Sequence, residues 1–136
     1  MVKPSVEFLA QFPDDALYDE DGDELQFAGQ NVAEAIAAAL TKRSYVVSEP
    51  ENCAELGWEF DAQRGGCRFW IRLTKIEEFV LGTRDMTFRL WPRRPTYVEF
   101  LQDLASALAD DVRFSQVKWF RDVMPSDGGE WSPGPV

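Results

Sequence analysis

The fold is decided by residues 57–74, which read GWEFDAQRGGCRFWIRLT. The adjacent glycines Gly65 and Gly66 can both adopt a positive φ without a steric penalty, as the tight turns of β-hairpins require. If Arg64 pairs with Cys67 across this turn, apolar and polar residues alternate in step on the two flanking segments. The stretch therefore predicts a β-hairpin that turns at the two glycines.

The two faces of this predicted hairpin differ in chemistry. The apolar face pairs Trp58 with Leu73, Phe60 with Ile71 and Ala62 with Phe69. The polar face pairs Glu59 with Arg72, Asp61 with Trp70 and Gln63 with Arg68. Opposite charges across two strands contribute roughly 0.2–1 kcal/mol a pair. A shift of one residue would turn Glu59 and Asp61 into the core, so the register is well specified.

Composition places the chain among ordinary globular proteins. It has 136 residues, of which 45% are hydrophobic and 28% charged. We expect a single α+β domain over residues 1–123 and an irregular tail over residues 124–136, which hold three prolines and three glycines. No signal-peptide pattern and no apolar run of roughly 18 residues occurs, so we expect a cytoplasmic protein without a membrane partner. The excess of arginine over lysine and the many alanines indicate a bacterial source.

The absence of histidine limits the chemistry of this chain. It excludes Ser-His-Asp and Cys-His nucleophilic catalysis, and also the usual histidine-rich metal sites. The two cysteines, Cys53 and Cys67, lack a metal-ligand spacing, and we expect two reduced thiols. Glu59 and Asp61 share a strand face, as a glycosidase pair would, but their arginine neighbours would keep both ionised. We therefore favour a non-enzymatic protein without a cofactor or metal.

The remaining periodicity predicts two helices and further strands. An asparagine at position 31 with Glu34, and Thr96 with Glu99, each form a capping-box pattern that begins a helix. Strands are predicted at residues 5–12, 45–48, 78–82, 86–91 and 113–121. In the second hairpin, which turns at residues 83–85, the residues expected to face the core are Met86, Phe88 and Leu90. The order of elements favours a two-layer α+β sandwich, with a mostly antiparallel sheet of about five to six strands and two helices on one face.

The net charge of −10 is unevenly distributed. Residues 1–63 hold 14 acids and 3 bases, whereas residues 64–94 hold 3 acids and 8 bases. Residues 14–24 alone hold seven acids. This acidic run fails as an EF-hand loop, because Glu24 stands where that loop needs glycine and Gln30 where it needs glutamate. It is interpreted as a loop that turns at Asp21-Gly22 and offers either a solvated acidic patch or a looser cation site.

Two sets of residues are candidate binding sites. The first is the sheet face opposite the helices, where the candidates are Arg68, Trp70, Arg72, Arg89 and Trp91. The second is the acidic patch, which comprises Asp19, Glu20, Asp21, Asp23 and Glu24. Tryptophan and arginine are enriched in binding hot spots. The alternative for the first set is structural: the arginines pair with Glu59 and Asp61, and another segment covers Trp70.

These features favour an interaction domain over an enzyme. The leading hypothesis is an acidic inhibitor or immunity-type protein, which presents carboxylates to a basic protein partner. The overall acidic charge argues against nucleic acid as a partner. Self-association through the sheet face is a further possibility. The alternative function is a small-ligand-binding or enzymatic α+β domain with a pocket between the sheet and the helices.

Overall fold

A computed structural model describes residues 2–53, 56–88, 95–121 and 130–136. Two helices, α1 (Gln30–Lys42) and α2 (Pro95–Ala109), accompany nine strands. The strands are β1 (Ser5–Ala10), β2 (Leu17–Tyr18), β3 (Glu24–Gln26), β4 (Val46–Val47), β5 (Glu51–Asn52), β6 (Trp58–Arg64), β7 (Cys67–Lys75), β8 (Phe79–Asp85) and β9 (Phe114–Phe120).

The main sheet has seven strands, and every pairing within it is antiparallel. Six of them follow the order β4-β6-β7-β8-β1-β9, and the short β5 pairs with β6 beside β4. Strands β2 and β3 form a separate two-stranded sheet. The α+β class with two helices is therefore confirmed, and the main sheet exceeds the expected number of strands because β5 adds two paired residues.

The central hairpin has the predicted register throughout. Arg64 pairs with Cys67, and the pairing continues without a shift to Trp58 and Leu73. Both turn glycines have positive φ, 57° at Gly65 and 80° at Gly66, as a type I′ turn requires. The apolar face of the hairpin is buried and the polar face is partly exposed, so the sequence alternation determines which side meets the helices.

The core lies between this apolar face and the two helices. The buried helix residues are Val32, Ala33, Ile36 and Leu40 on α1, and Phe100, Leu101, Leu104, Ala107 and Leu108 on α2. The rings of Phe69 and Phe100 stack with centroids 4.3 Å apart and an interplanar angle of 9°. Tyr45 meets both rings edge-on. The stacked rings fix how α2 sits on the sheet, since aromatic pairs add about 0.5–1.5 kcal/mol beyond the area that they bury.

The start of α1 differs from the prediction. The helix begins at Gln30 with Gly29 as its N-cap, and no side-chain cap comes from within the helix. Instead, Asp15 reaches the helix from the preceding loop and accepts hydrogen bonds from the Gly29 N–H at 2.8 Å and the Asn31 N–H at 2.7 Å. The capping role assigned to Asn31 is therefore wrong. Helix α2 begins at Pro95, one residue before the expected Thr96.

Strand β8 replaces the predicted second hairpin. It runs unbroken through residues 83–85, where a turn was expected, and pairs with β7 on one side and β1 on the other. The pairing with β7 shows no bulge at Gly82. Met86 and Phe88 lie beyond the strand and are 50% and 87% exposed, so the expectation that they face the core is wrong. Leu90 lies outside the described residues. The chain continues straight because the Thr83 N–H donates to the Pro4 carbonyl and its hydroxyl lies 2.8 Å from that of Tyr97.

Neither helix in the described ranges is both long and apolar enough to cross a membrane.

Candidate functional site

The sheet face opposite the helices carries a group of charged side chains around one tryptophan. We call it the sheet-face cluster, and it consists of Glu59, Asp61, Arg68, Trp70 and Arg72. Glu59 accepts hydrogen bonds from Trp70 Nε1 at 3.0 Å and from an Arg72 nitrogen at 3.3 Å. Arg68 donates to Asp61 at 3.0 Å. The alternation on β6 and β7 places all five side chains on this face, as the sequence predicted.

Two guanidinium groups approach the ring of Trp70. The Arg72 guanidinium carbon lies 4.8 Å from the ring centroid, and that of Arg84 lies 5.7 Å from it. Cation–π contacts at such distances contribute about 0.5–1 kcal/mol at exposed sites. The half-buried Trp70 thus has its indole N–H and its ring engaged by residues of the same sheet. The other two candidates for this face, Arg89 and Trp91, lie outside the described residues.

The surroundings of Glu59 keep its carboxylate ionised. Partial burial acts to raise its pKa, but hydrogen bonds from Cys53, Trp70 and Arg72, together with the charge of Arg72, lower the pKa below its ordinary value. Burial raises the pKa of the Cys53 thiol, and its hydrogen bond to Glu59 and the negative charge there raise it further. At neutral pH, Glu59 is therefore an anion and Cys53 a thiol. This arrangement suits neither a general acid nor a thiolate nucleophile.

A depression of about 390 Å³ opens beside Trp70, on the face opposite the helices. Its charged lining, among the residues that the structure describes, is acidic and comprises Glu49, Glu51, Glu59 and Asp61. Ser48, Pro50, Cys53, Phe60 and Trp70 complete the wall. The alternative function placed a pocket between the sheet and the helices, and a smaller recess of about 150 Å³ lies there, between the end of the central hairpin and α2. The larger one, which we call the acidic depression, lies at the edge formed by β5 and β6.

The acidic patch forms a small hairpin of its own. Strands β2 and β3 pair through Leu17 with Gln26 and Tyr18 with Glu24. We call Leu17–Gln26 the acidic hairpin. Its turn is organised by Asp19, whose Oδ1 accepts the N–H groups of Asp21 at 2.9 Å and Asp23 at 2.8 Å. Asp19 is thus held in a structural role, while the side chains that point outward are those of Glu20, Asp21, Asp23 and Glu24.

Large apolar side chains lie among these carboxylates. Leu17 is 54% exposed, Tyr18 60% and Leu25 62%. A recess of about 260 Å³ separates the acidic hairpin from the end of β7, where Tyr18 and Glu24 line one side and Lys75 and Ile76 the other. Ile76 is also exposed. Sequence reasoning missed this apolar component. The sequence did contain a signal, because Leu17 and Leu25 stand on either side of the acidic run. A fully solvated loop does not need large apolar side chains.

The acidic hairpin and the acidic depression lie next to each other. The Asn52 side-chain amide lies 3.5 Å from the Leu25 carbonyl oxygen and donates to it, joining β5 to β3. The Trp58 indole N–H donates to the Phe27 carbonyl at 3.1 Å, which fixes the segment after β3 on the main sheet. Glu51, which precedes Asn52, therefore lies on a segment that adjoins the acidic hairpin.

The acidic hairpin and the acidic depression do not form a metal centre in the part of the chain that the structure describes. No three acidic or cysteine side chains there converge as ligands for one ion. No protein family, curated protein or solved structure that we compared with this chain shows significant similarity to it. The function must therefore be inferred from the chain's own residues.

Proposed function

We propose that this chain is a non-enzymatic interaction module that docks its acidic hairpin on a basic surface of a partner protein. The observation that carries the proposal is the exposure of Leu17, Tyr18 and Leu25 on the same small hairpin as four outward carboxylates. Buried apolar contacts with a charged rim are the usual anatomy of a protein interface.

The two kinds of residue have different roles in this proposal. Carboxylates attract a positively charged partner over a distance and raise the rate of encounter, an effect that salt weakens. Tyr18 and the two leucines supply the area that is removed from water once the partner has docked, worth roughly 25 cal/mol per Å² before the costs of association. Tyrosine is among the residues that dominate binding energy at interfaces.

In its specific form, the proposal is that this chain inhibits a basic enzyme by docking on it. A basic enzyme that acts on nucleic acid has a cationic surface for phosphates, and a row of carboxylates can occupy it. The acidic hairpin is a two-stranded unit separate from the main sheet, and its exposed side chains would enter the cationic cleft of such an enzyme.

The test uses single charge reversals in the full chain. Immobilised wild-type protein captures partners from an extract of the source cells, and the captured protein is purified and titrated. Asp21→Lys should weaken its binding about tenfold or more, and Tyr18→Ala should weaken it with little change in salt dependence. Asp110→Lys is the matched control, because that carboxylate lies beside Arg43 at the C-terminal ends of the two helices. If Asp21→Lys and Asp110→Lys bind as tightly as each other, the acidic hairpin is not the docking site.

The acidic depression supports a second candidate function, the binding of a small organic cation. Four carboxylates and the Trp70 indole line it, and two of these carboxylates, Glu59 and Asp61, also form ion pairs with Arg72 and Arg68. Carboxylates with an aromatic wall are the usual site for an alkylammonium or guanidinium group. Titration with arginine methyl ester, followed by tryptophan fluorescence, tests this function. A signal that Glu51→Gln reduces and Glu77→Gln leaves unchanged would support it, and the absence of any saturable change would exclude it for this ligand.

A further inference from the structure

The two edge strands of the main sheet differ in length, and therefore in how readily each could pair with a strand of another molecule. At one edge, β4 has only two residues and Pro50 follows it closely. At the other edge, β9 has seven residues. A long edge strand presents a row of N–H and C=O groups that can pair with a strand of another molecule. The β9 edge is therefore the one at which this sheet could extend.

The first half of β9 is distorted. Its pairing with β1 shifts register between Glu7 and Leu9, and Gln116 has a φ of 51°. A bulge of this kind bends and twists an edge strand, which makes that half a poor template. The second half pairs regularly, with Lys118, Trp119 and Phe120 opposite Glu7, Val6 and Ser5. Only this second half would offer a regular edge to another strand.

Residues 130–136, which we call the C-terminal strap, lie on that second half. Ser132 and Trp119 exchange two backbone hydrogen bonds, with N···O distances of 2.8 and 3.0 Å. The strap then reaches the start of β1, where the Lys3 N–H donates to the Pro135 carbonyl at 2.8 Å. Its side chains also bind the body, because the Lys3 ammonium donates to the Ser132 hydroxyl and the Lys118 ammonium lies 5.3 Å from the Trp131 ring centroid.

The strap is itself a poor edge. The Ser132 carbonyl accepts from the Trp119 N–H, and because the peptide bond that follows is planar and trans, the nitrogen of Pro133 lies on the opposite, outward side of the strap. Proline has no N–H, so the outward side of the strap lacks a donor at this position. An edge that ends in such a segment cannot continue the ladder as a full strand would.

We infer that the C-terminal strap occupies the regular half of the β9 edge and so prevents that edge from pairing with the same edge of a second copy of this chain. Edge-to-edge pairing of two β9 strands would need the groups of Trp119 that Ser132 now satisfies. This inference is independent of the acidic hairpin, which lies in a different sheet.

The test compares two substitutions at one position in the full chain. Ser132→Pro removes the N–H that donates to Trp119 and should release the strap. Ser132→Ala keeps both backbone bonds and loses only the hydroxyl contacts. We expect Ser132→Pro to shift the mass measured by light scattering from that of the wild type toward twice that value as concentration rises. In dilute protein, where the variant is a monomer, hydrogen exchange of the Trp119 amide should rise about tenfold or more, and Ser132→Ala should change neither quantity.

Two results would overturn the inference. One is a Ser132→Pro variant whose Trp119 amide exchanges freely while its mass stays that of the wild type at every concentration. The other is a Trp119 amide that, in dilute protein, is as protected in Ser132→Pro as in the wild type, since the strap bonds would then not be what covers the edge. Should Ser132→Pro fail to fold, the double variant Lys3→Ala with Trp131→Ala decides the matter, because it removes two side-chain contacts that hold the strap. It should raise both the exchange of the Trp119 amide in dilute protein and the mass at high concentration; an unchanged mass would contradict the inference.

Discussion

Asp15 caps α1 although it lies 16 residues before Asn31, whose N–H donates to its carboxylate. Its two carboxylate oxygens accept the N–H groups of Gly29 and Asn31, which a helix cannot satisfy internally. The negative charge also lies at the positive end of the helix dipole. One side chain thus joins the loop before the acidic hairpin to the helix after it.

Asp15→Ala should lower the free energy of unfolding by about 1–2 kcal/mol, the cost of losing a helix N-cap. Asp14→Ala is the matched control, because the Asp14 carboxylate accepts a local hydrogen bond, from the Ala16 N–H two residues on, and not one from α1 among the described residues. We expect the control to change stability by less than about 0.5 kcal/mol. Urea unfolding followed by circular dichroism measures both. Equal losses in the two variants would show that the cap contributes nothing specific.

Glu59 gives the stability of the protein a predictable dependence on pH. Its pKa in the folded protein is lowered from 4.5, so its contribution is present above about that pH and is lost as the pH falls through the folded-state pKa. Glu59→Gln should destabilise the protein by about 1–2 kcal/mol at pH 7, because Trp70 and Arg72 lose a charged acceptor. The difference from wild type should shrink at about pH 3. Thermal melts of both proteins at the two pH values measure it, with the exposed Glu77→Gln as the control. A difference that is the same at both pH values would contradict this account.

At the scale of elements, the central hairpin depends on a close backbone approach at its start. Gly57 has a φ of 100°, and a Cβ placed there would lie 2.1 Å from the Leu73 carbonyl oxygen. Position 57 therefore excludes every side chain for two reasons, backbone strain and a clash with main-chain atoms that cannot move aside. The same hairpin offers a control at Gly66, where φ is 80° and nothing lies within 4 Å.

Gly57→Ala should destabilise the protein by about 3 kcal/mol or more, since strain and steric overlap add. Gly66→Ala should cost only about 1 kcal/mol, the penalty for a left-handed conformation without a clash. Denaturant unfolding of the two variants separates the effects. If the two substitutions cost the same, the approach to Leu73 is not what requires glycine at position 57.

An element could be predicted from the sequence where its local residue pattern agrees with the way the element packs in the fold. The register of β6 and β7 followed from two turn glycines and strict alternation. The prediction failed at β8, because nothing in its own sequence shows that Thr83 is held by Pro4, which lies 79 residues away. It failed at the α1 cap for the same reason, since Asp15 acts from another loop. Contacts between distant segments decided both features.

At the scale of the whole molecule, ion pairs within the main sheet compensate part of the uneven charge of the sequence. The basic β7 lies beside the acidic β6, so Arg68 and Arg72 meet Asp61 and Glu59. In the acidic hairpin, by contrast, strands β2 and β3 pair with each other, and its carboxylates at positions 20, 21, 23 and 24 are exposed. The sequence could indicate which segment is acidic. It could not show that Leu17, Tyr18 and Leu25 remain exposed there, because exposure depends on which segments pack against the hairpin.

The charge of these exposed carboxylates should be visible in stability as well as in binding. Neutralising three exposed carboxylates, by Glu20→Gln, Asp21→Asn and Asp23→Asn together, should stabilise the protein by on the order of 1 kcal/mol at about 10 mM salt, because like charges repel over a Debye length of about 30 Å. The gain should shrink toward zero at about 0.5 M salt, where that length is a few Å. The matched control adds Asp19→Asn to the same variant. Asp19 holds the turn through the N–H groups of Asp21 and Asp23, so its loss should reverse part of the gain at every salt concentration. Thermal unfolding across a salt series measures both, and a triple variant less stable than wild type at low salt would show that these carboxylates are paired in the fold.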